Sequence, residues 1–233
     1  MRAAAPLALA TCVAALACGP RPHPASGPVS LLYVGSVPGT NAAADTVLLM
    51  PSTVAAARGV LAVADAATPD VRLLRQDGAL LLRLGRKGQG PGEFLEVRGV
   101  ALAPDGRIAA TDPRNRRVSV FAPDGALRLE IPLHAGRLGE PAFDARGRLH
   151  IDRSGPVRPG QPAGGPTVGV HSPDGPFLFG YGDYRPSTDP FADAFENEAR
   201  FAPDPEGGMW LLYAYRGTAT LYRDGKPVRE IRA

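Results

Sequence analysis

The sequence predicts an all-β protein of the β-propeller class, with about four recognisable four-stranded blades. Three Asp-Gly dipeptides, which begin at Asp124, Asp174 and Asp224, are spaced 50 residues apart, and Asp77-Gly78 precedes the first of them by 47 residues. A second series of turn glycines runs ahead of these by 19, 19, 28 and 18 residues: Gly59, Gly106, Gly147 and Gly207. Two interleaved series of turns with one period indicate one unit of strands repeated along the chain. Roughly 40 to 50 residues built only of strands is the length of a propeller blade.

The first 17 residues are predicted to be a signal peptide. Met1-Arg2 provides a short positive start, and the apolar run of residues 3–17 is too short to span a bilayer comfortably. This run ends in Ala15-Leu16-Ala17-Cys18, which is similar to a bacterial lipobox with two positions reversed, so Cys18 is the predicted lipid-attachment site. Two alternatives stay open: lipidation at Cys12, which leaves a very short apolar core, and an ordinary secretory signal cleaved near Ala17.

Composition limits what the mature domain can do. Both cysteines lie in or directly after the signal peptide, so we expect neither a disulfide nor thiol catalysis in the folded part. Removing residues 1–17 removes Arg2 and no acidic residue, which leaves 25 basic against 23 acidic side chains. Nucleic-acid binding requires a concentrated basic face. Here the only cluster is Arg114, Arg116 and Arg117 in one tight turn, which we interpret as a solvated turn.

The predicted domains follow the repeat. Residues 18–28 form a Pro-rich, extended tether, and residues 29–233 form the propeller, with blades near 46–94, 95–138, 139–184 and 185–233. The second blade is the clearest, with strands at Gly99–Ala103, Ile108–Thr111, Arg117–Phe121 and Leu127–Ile131. Alternation in its third strand predicts that Val118 and Val120 face one neighbouring blade while Phe121 faces the other.

The same order of strands and turns recurs in the other three blades. Strands are predicted at 54–57, 60–64, 71–74 and 79–84 in the first blade, at 141–144, 149–152 and 168–171 in the third, and at 201–204, 209–215, 218–222 and 228–231 in the fourth. A Gly/Pro-rich insertion at 153–166 explains the longer glycine interval of the third blade. Trp210 alternates into the fourth sheet and is predicted to be a core residue.

Three segments resemble the NHL-repeat and six-bladed propeller lipoproteins of bacteria: Gly85–Phe94 (GRKGQGPGEF), Gly99–Arg107 and Asp112–Gly125. The resemblance implies that Gly85–Phe94 is a crossover between two blades and that Phe94 lies between their sheets. It also implies a six-bladed ring, for which about 47 residues per blade would need a longer chain. We therefore expect the final blades to be missing, and the strand near Val29–Val34 to lie apart from Val228–Ile231.

Metal-dependent catalysis is the alternative to a binding function. Gluconolactonase-like hydrolases and peptidyl-amidating lyases gather metal ligands from several innermost strands of a propeller. The four histidines of this chain do not share one local element: His23, His134, His150 and His171. Asp65 and Asp112 recur after their hairpin glycines, whereas the fourth blade has Ala214 at this point. A ring of such aspartates could bind calcium, but we favour the interpretation that each caps a turn through backbone N–H groups.

The connection Tyr181–Phe195 is the least repeat-like segment and the predicted binding loop. Long irregular loops on a rigid scaffold often carry binding residues. Its candidate residues are Tyr181, Asp183, Tyr184, Arg185 and Asp189. The alternative is a solvated connection between blades.

These observations predict a propeller of the bacterial cell envelope, lipid-anchored and facing the periplasm or the cell surface, or secreted if the lipobox is not used. We expect it to bind a protein, peptide or glycan through one face of the disc, without a catalytic residue, a metal or a cofactor. Nucleic acid is not an expected partner. The alternative is a metal-dependent hydrolase or lyase, with calcium as its cofactor, and it rests on analogy with propeller enzymes.

Changing Cys18→Ser should release the protein from membranes, because a serine hydroxyl cannot form the thioether of a lipoprotein. Cys12→Ser is the matched control and should stay in the membrane fraction. Fractionation with detergent-phase partitioning measures both variants. If Cys18→Ser fractionates like the unchanged protein, the lipid anchor at this position is refuted.

Overall fold

The structure is a computed structural model that describes residues 48–133, 139–153, 165–185 and 187–232. The signal peptide, the tether with Cys18, the segment Val29–Val34 and His134 lie outside the described residues. The predictions that concern them therefore remain predictions.

The described residues form four antiparallel four-stranded sheets, and in each sheet the strands are paired in sequence order. The first sheet contains β1 (Pro51–Ala57), β2 (Val60–Asp65), β3 (Thr68–Arg75) and β4 (Leu80–Leu84). The second contains β5 (Gly99–Leu102), β6 (Ile108–Asp112), β7 (Arg117–Phe121) and β8 (Leu127–Pro132). The third contains β9 (Ala142–Phe143), β10 (Leu149–Asp152), β11 (Val168–His171) and β12 (Phe177–Tyr181). The fourth contains β13 (Ala199–Pro203), β14 (Met209–Tyr213), β15 (Thr218–Arg223) and β16 (Lys226–Arg232). The all-β fold class and its four blades are confirmed.

The repeated glycines close two kinds of hairpin. In the commoner kind, which the turn at Asp77-Gly78 represents, the glycine N–H bonds the carbonyl three residues earlier and the glycine has a φ of 85°. The Asp77 carboxylate accepts the N–H of Ala79 at 3.0 Å, and a β-bulge follows in the ladder of β3 and β4. The other kind is a two-residue turn with positive φ at both positions, as at Asp224 (48°) and Gly225 (79°). Both kinds match the right-handed twist of paired strands.

Three apolar cores lie between successive blades. The first core joins Leu73 and Leu84 of the first blade to Ile108 and Phe121 of the second. The second core contains Val118 and Val120 with Leu149 and Ile151, and the third contains Val168 and Val170 with Met209 and Leu211. Val118 and Val120 therefore face the third blade while Phe121 faces the first, as the alternation of β7 predicts.

Phe94 lies between two sheets, as the resemblance implies. Its side chain is fully buried, and its ring centroid lies 6.0 Å from that of Phe121. A Cβ atom added at Gly85 would approach the Phe94 ring to 2.3 Å, so only glycine leaves room for this ring at the start of the crossover. Gly85 also has a φ of 76°, which side chains disfavour.

Arginines beside the first hairpin turns connect successive blades at the opposite end from the crossovers. Each reaches an acceptor of the next blade: Arg58 the carbonyl of Pro104 at 3.2 Å, Arg107 that of Gly147 at 2.9 Å, and Arg148 the carboxylate of Asp224 at 2.6 Å. These three arginines therefore link successive blades at this end of the sheets.

Among the described residues, the four sheets do not close into a ring. The first blade exposes Val54 (63% exposed) on β1, and the fourth exposes Leu212 (42%) on β14. Trp210 shares the outer face of β14 with Leu212 and is only half-buried, and its Nε1 donates to Asp204 at 3.3 Å. Its predicted place in the core is therefore only partly correct.

Truncating Phe94→Ala should lower the free energy of unfolding by about 3 to 5 kcal/mol, because it empties a site closed on both sides by sheets. Phe177→Ala removes an aromatic side chain that is 51% exposed and should cost about 1 kcal/mol or less. Urea denaturation of both variants measures the difference. Equal costs would show that Phe94 does not support the junction of the first two blades.

Candidate functional site

The crossovers between blades and the turns between second and third strands lie at the same end of the sheets, because the strands of each sheet alternate in direction. We call this end the crossover face. It contains a cleft of about 690 Å³ to which all four blades contribute. Residues around it include Asp65, Lys87, Arg114, Glu140, Asp152 and Arg200.

Asp65 shapes the floor of the cleft at the first blade. Its buried carboxylate accepts backbone N–H groups from Leu49 at 2.6 Å, Met50 at 3.0 Å and Ala67 at 2.9 Å. Burial favours the neutral acid, but these three hydrogen bonds outweigh it and lower the pKa of Asp65 below its ordinary value. The aspartate thus joins its own turn to the segment that leads into β1.

Asp112 repeats this arrangement in the second blade. Its carboxylate accepts the N–H of Leu95 in the crossover at 2.8 Å, and the N–H groups of Arg114 and Asn115 in the turn at 3.1 and 3.0 Å. The capping interpretation of Asp65 and Asp112 is confirmed. Both carboxylates are committed to backbone donors.

In the fourth blade the corresponding residue is Tyr213, and the assignment of Ala214 to this position is wrong. Tyr213 pairs with Thr218 across the turn, as Asp112 pairs with Arg117. The Tyr213 hydroxyl accepts the crossover N–H of Asp183 at 2.8 Å and shares a 2.7 Å hydrogen bond with Thr167. A phenol therefore holds the crossover where the second blade uses a carboxylate, and residue type alone could not reveal the equivalence.

Arg117 is not part of a solvated turn, which corrects the interpretation of the arginine cluster. It donates to the carbonyl of Glu93 at 2.8 Å and to that of Gly90, and it pairs with Glu130 at 3.2 Å. Asn115 donates to the carbonyl of Gly88 at 3.0 Å. Two side chains of the turn thus fix the glycine-rich crossover 85–94 against the second blade. Arg114 remains exposed at the cleft.

Charges of both signs line the cleft. Arg98 pairs with Glu96 at 2.8 Å, and Arg200 pairs with Glu198 at 2.6 Å. The exposed carboxylate of Glu140 accepts the Thr53 hydroxyl at 3.3 Å. The cleft can therefore hold polar ligands that offer hydrogen-bond donors as well as anionic groups.

The structure places Tyr181, the first candidate of the predicted binding loop, inside the protein. It is 4% exposed, and its hydroxyl lies 2.7 Å from Nδ1 of His150. Burial raises the pKa of the Tyr181 phenol. Tyr184 is also engaged, with its hydroxyl donating to both oxygens of Asp193 at 2.8 Å. These two tyrosines organise the loop, and neither projects freely into solvent.

The other three candidates lie on the outside of the loop. Asp183 and Arg185 form an exposed ion pair at 2.9 Å, and Asp189 is the N-cap of the short helix α1 (Pro190–Glu196), where it accepts the N–H of Phe191 at 2.8 Å. Buried Asn197 holds the loop from behind: its side chain bonds both the N–H and the carbonyl of Arg185 at 2.8 Å. Residues 181–185 and 187–198 thus form an ordered segment on the crossover face, which we call the lobe at 181–198.

Sequence reasoning missed an exposed aromatic cluster, which consists of Phe191 and Phe195 of the lobe and Tyr215 of the turn between β14 and β15. Their side chains are 75%, 42% and 61% exposed, and the ring centroids of Phe195 and Tyr215 lie 4.7 Å apart. Tyr215 belongs to a short 3-10 helix, Ala214–Arg216, between β14 and β15. The available signal was the presence of two phenylalanines in the connection between β12 and β13. Residue type alone does not show whether such rings are buried or exposed.

A buried polar chain runs within the third blade from Tyr181 toward the turn between β9 and β10. His150 Nε2 lies 3.3 Å from Asp144, which pairs with Arg148 at 2.6 Å. Burial opposes the charge on Asp144, but hydrogen bonds from His150 and Arg148 outweigh it and hold the pKa of Asp144 well below its usual range. His171, in contrast, bonds the carbonyl of Gly175 at 2.8 Å. Among the described residues, no three His, Cys, Asp or Glu side chains are placed to hold a metal ion.

Comparison with solved structures shows the same kind of fold at low sequence identity. An exported protein of Bacteroides fragilis superposes with a TM-score of 0.60 at 15% identity, over 80% of this chain and 51% of that one. A virginiamycin B lyase from Staphylococcus aureus superposes with a TM-score of 0.53 at 11% identity, over 82% of this chain and 57% of that one. This chain thus spans about half the length of both structures.

Comparison with curated sequences finds similarity over a short part of the chain. Tripartite motif-containing protein 2 of Homo sapiens is 39% identical over 49 residues, which are 21% of this chain and 7% of that protein. No family model matches the chain. Within the part of the chain that the structure describes, no helix has the length and apolar character needed to cross a membrane.

Changing Asp144→Asn should lower the free energy of unfolding at neutral pH by about 2 kcal/mol, because it removes the buried negative charge between Arg148 and His150 and leaves Arg148 with only its exposed partner Asp224. The low folded-state pKa means that this carboxylate stabilises the protein above about pH 4, and that its contribution is lost as the pH falls further. The stability difference between the two proteins should therefore narrow below about pH 4.

Denaturation across pH 2 to 8 measures this difference, with the exposed Asp174→Asn as the control. A difference that does not change with pH would contradict the role of the ionised carboxylate.

Proposed function

We propose that this chain is an extracytoplasmic β-propeller that binds a protein, peptide or glycan ligand through its crossover face, without catalysing a reaction. The single observation that carries the proposal is the cleft of about 690 Å³ to which all four blades contribute. Its volume is in the range of ordinary ligand sites. The proposal involves no catalytic residue and no cofactor.

The construction of the cleft supports binding because its walls are held by hydrogen bonds. Asp65 and Asp112 fix the backbone on one side through six contacts of 2.6 to 3.1 Å. Walls that are rigid before a ligand arrives lose little conformational entropy on binding. Recognition can then rely on the exposed side chains of the rim, above all Lys87, Arg114 and Glu140.

The lobe at 181–198 supplies a second type of contact to the same face. Its exposed rings Phe191 and Phe195 offer apolar area together with Tyr215 beside them, and the pair Asp183 and Arg185 offers both charges. Aromatic side chains contribute much contact area for little lost entropy. The candidate binding loop thus belongs to the proposed site through Asp183, Arg185 and its aromatic cluster, while Tyr181, Tyr184 and Asp189 maintain its shape.

The cellular location is proposed from the sequence. A signal peptide at 1–17, the Cys18 lipid anchor and the tether 18–28 would place the propeller outside the cytoplasmic membrane, within reach of envelope ligands. The segments Gly85–Phe94 and Asp112–Gly125 support membership of the NHL-repeat lipoproteins of bacteria. Metal analysis of the purified protein distinguishes the alternative: stoichiometric calcium or zinc would replace the binding function with a metal-dependent one.

Placing a large side chain in the cleft should weaken ligand binding. Ala66 is exposed at the cleft, so Ala66→Trp places an indole there without disturbing a core. Ala126→Trp is the matched control, since Ala126 is exposed at a hairpin turn on the opposite end of the blades. We expect the affinity for hits from glycan and peptide arrays to fall by about tenfold or more for Ala66→Trp alone.

Two results would contradict the proposal. The first result is that the unchanged protein binds no ligand on the glycan and peptide arrays. The other is a ligand whose affinity is equal in the Ala66→Trp and Ala126→Trp variants, because binding would then lie outside the cleft.

A further inference from the structure

Two basic side chains stand at the same wall of the cleft, and they come from different segments. Lys87 lies in the glycine-rich crossover, and Arg114 lies in the turn between β6 and β7. Both are exposed and both line the cleft. The two segments are joined by the bonds of Asn115 to Gly88 at 3.0 Å and of Arg117 to Glu93 at 2.8 Å. Lys87 and Arg114 are therefore anchored on one rigid unit.

The carboxylates nearest to these cations along the chain already have other partners. Glu93 pairs with Arg86 at 2.8 Å and accepts the N–H of Gly90 at 2.9 Å, and hydrogen bonding from Arg86 lowers the pKa of Glu93. Asp112 is occupied by backbone donors, and Glu96 pairs with Arg98 at 2.8 Å. Within the described ranges, no ion pair includes Lys87 or Arg114. Among the described residues, these two side chains thus reach the cleft without an ion-pair partner of their own.

We propose that Lys87 and Arg114 bind the carboxylate groups of an acidic glycan, a chain that contains uronic acid units; this rests on the proposed function of the cleft. A guanidinium presents a planar pair of N–H donors that matches a carboxylate, and the ammonium of lysine adds a second positive charge. The two cations can therefore bind an anionic group of the ligand.

The opposite wall selects a glycan over an acidic peptide. Glu140, from the third blade, is exposed in the same cleft and carries a negative charge. A purely anionic side chain would be repelled there, whereas sugar hydroxyls donate hydrogen bonds to carboxylates. A uronic acid unit carries one carboxylate and several hydroxyls on one ring, so it can satisfy both walls. The exposed rings of Phe195 and Tyr215 on the same face can stack on the apolar sides of further sugar units.

The experiment uses a short oligogalacturonate and its fully methyl-esterified form as probes, with titration calorimetry at low and high salt. The variants are Lys87→Ala, Arg114→Ala and the double variant. Arg128→Ala is the matched control, because Arg128 is an exposed cation on the outer strand β8 of the second blade and its loss changes the net charge equally.

We expect the unchanged protein and Arg128→Ala to bind the acid form, each single variant to lose about tenfold in affinity and the double variant to lose binding. The esterified form should bind weakly to all proteins, and added salt should weaken binding of the acid form. Circular dichroism shows whether the alanine variants are folded. Lys87→Arg keeps the positive charge and should therefore retain binding of the acid form.

Three outcomes would overturn the inference: equal affinity for the acid and esterified forms, equal losses in Arg128→Ala and the double variant, or no binding of the acid form at all. If Ala66→Trp still weakens binding of another ligand from the arrays, the proposed function stands while the glycan assignment fails. If neither probe nor array ligand binds the unchanged protein, both fail.

Discussion

The crossover face depends on one interaction: a side chain in the turn between the second and third strands accepts N–H groups from the backbone that leads into its own blade. Asp65 and Asp112 do this with carboxylates and Tyr213 with a phenol. Hydrogen bonds to charged groups contribute about 1.5 to 3 kcal/mol each, so the carboxylates in particular stabilise the path of the backbone that leads into each blade. The same acceptors hold the rim of the cleft in place.

Several arginines of this protein have structural roles, with acceptors in neighbouring segments of the fold. Arg58, Arg107 and Arg148 link blades at one end of the sheets, and Arg117 holds the crossover at the other. Because each of these side chains has acceptors within the fold, its charge is not available to a ligand. The basic residues that can recognise one are those which the fold leaves at the cleft.

The lobe at 181–198 has inward residues that stabilise its structure and outward residues that are available to a ligand. Its inward polar groups, Tyr184, Asp193 and Asn197, form a hydrogen-bonded interior where apolar packing is scarce. Its outward residues are therefore carried on an ordered support, although the segment follows no repeat. Such a support reduces the entropy that a loop would otherwise lose on binding.

Most of the strands, the hairpins and the alternation of β7 could be predicted from the sequence, because turn glycines and period-two patterns are local and depend on backbone geometry. The strand β12 and the 3-10 helix Ala214–Arg216 were not predicted. It also indicated Phe94 as an interblade residue and Asp65 as a cap. The packed fold was needed to show that Tyr213 replaces an aspartate, that Arg117 turns inward and that Tyr181 is buried while Phe191 is exposed. These outcomes depend on contacts between residues far apart in the chain, and the type of a residue does not reveal which backbone group will lie beside it once the blades have packed.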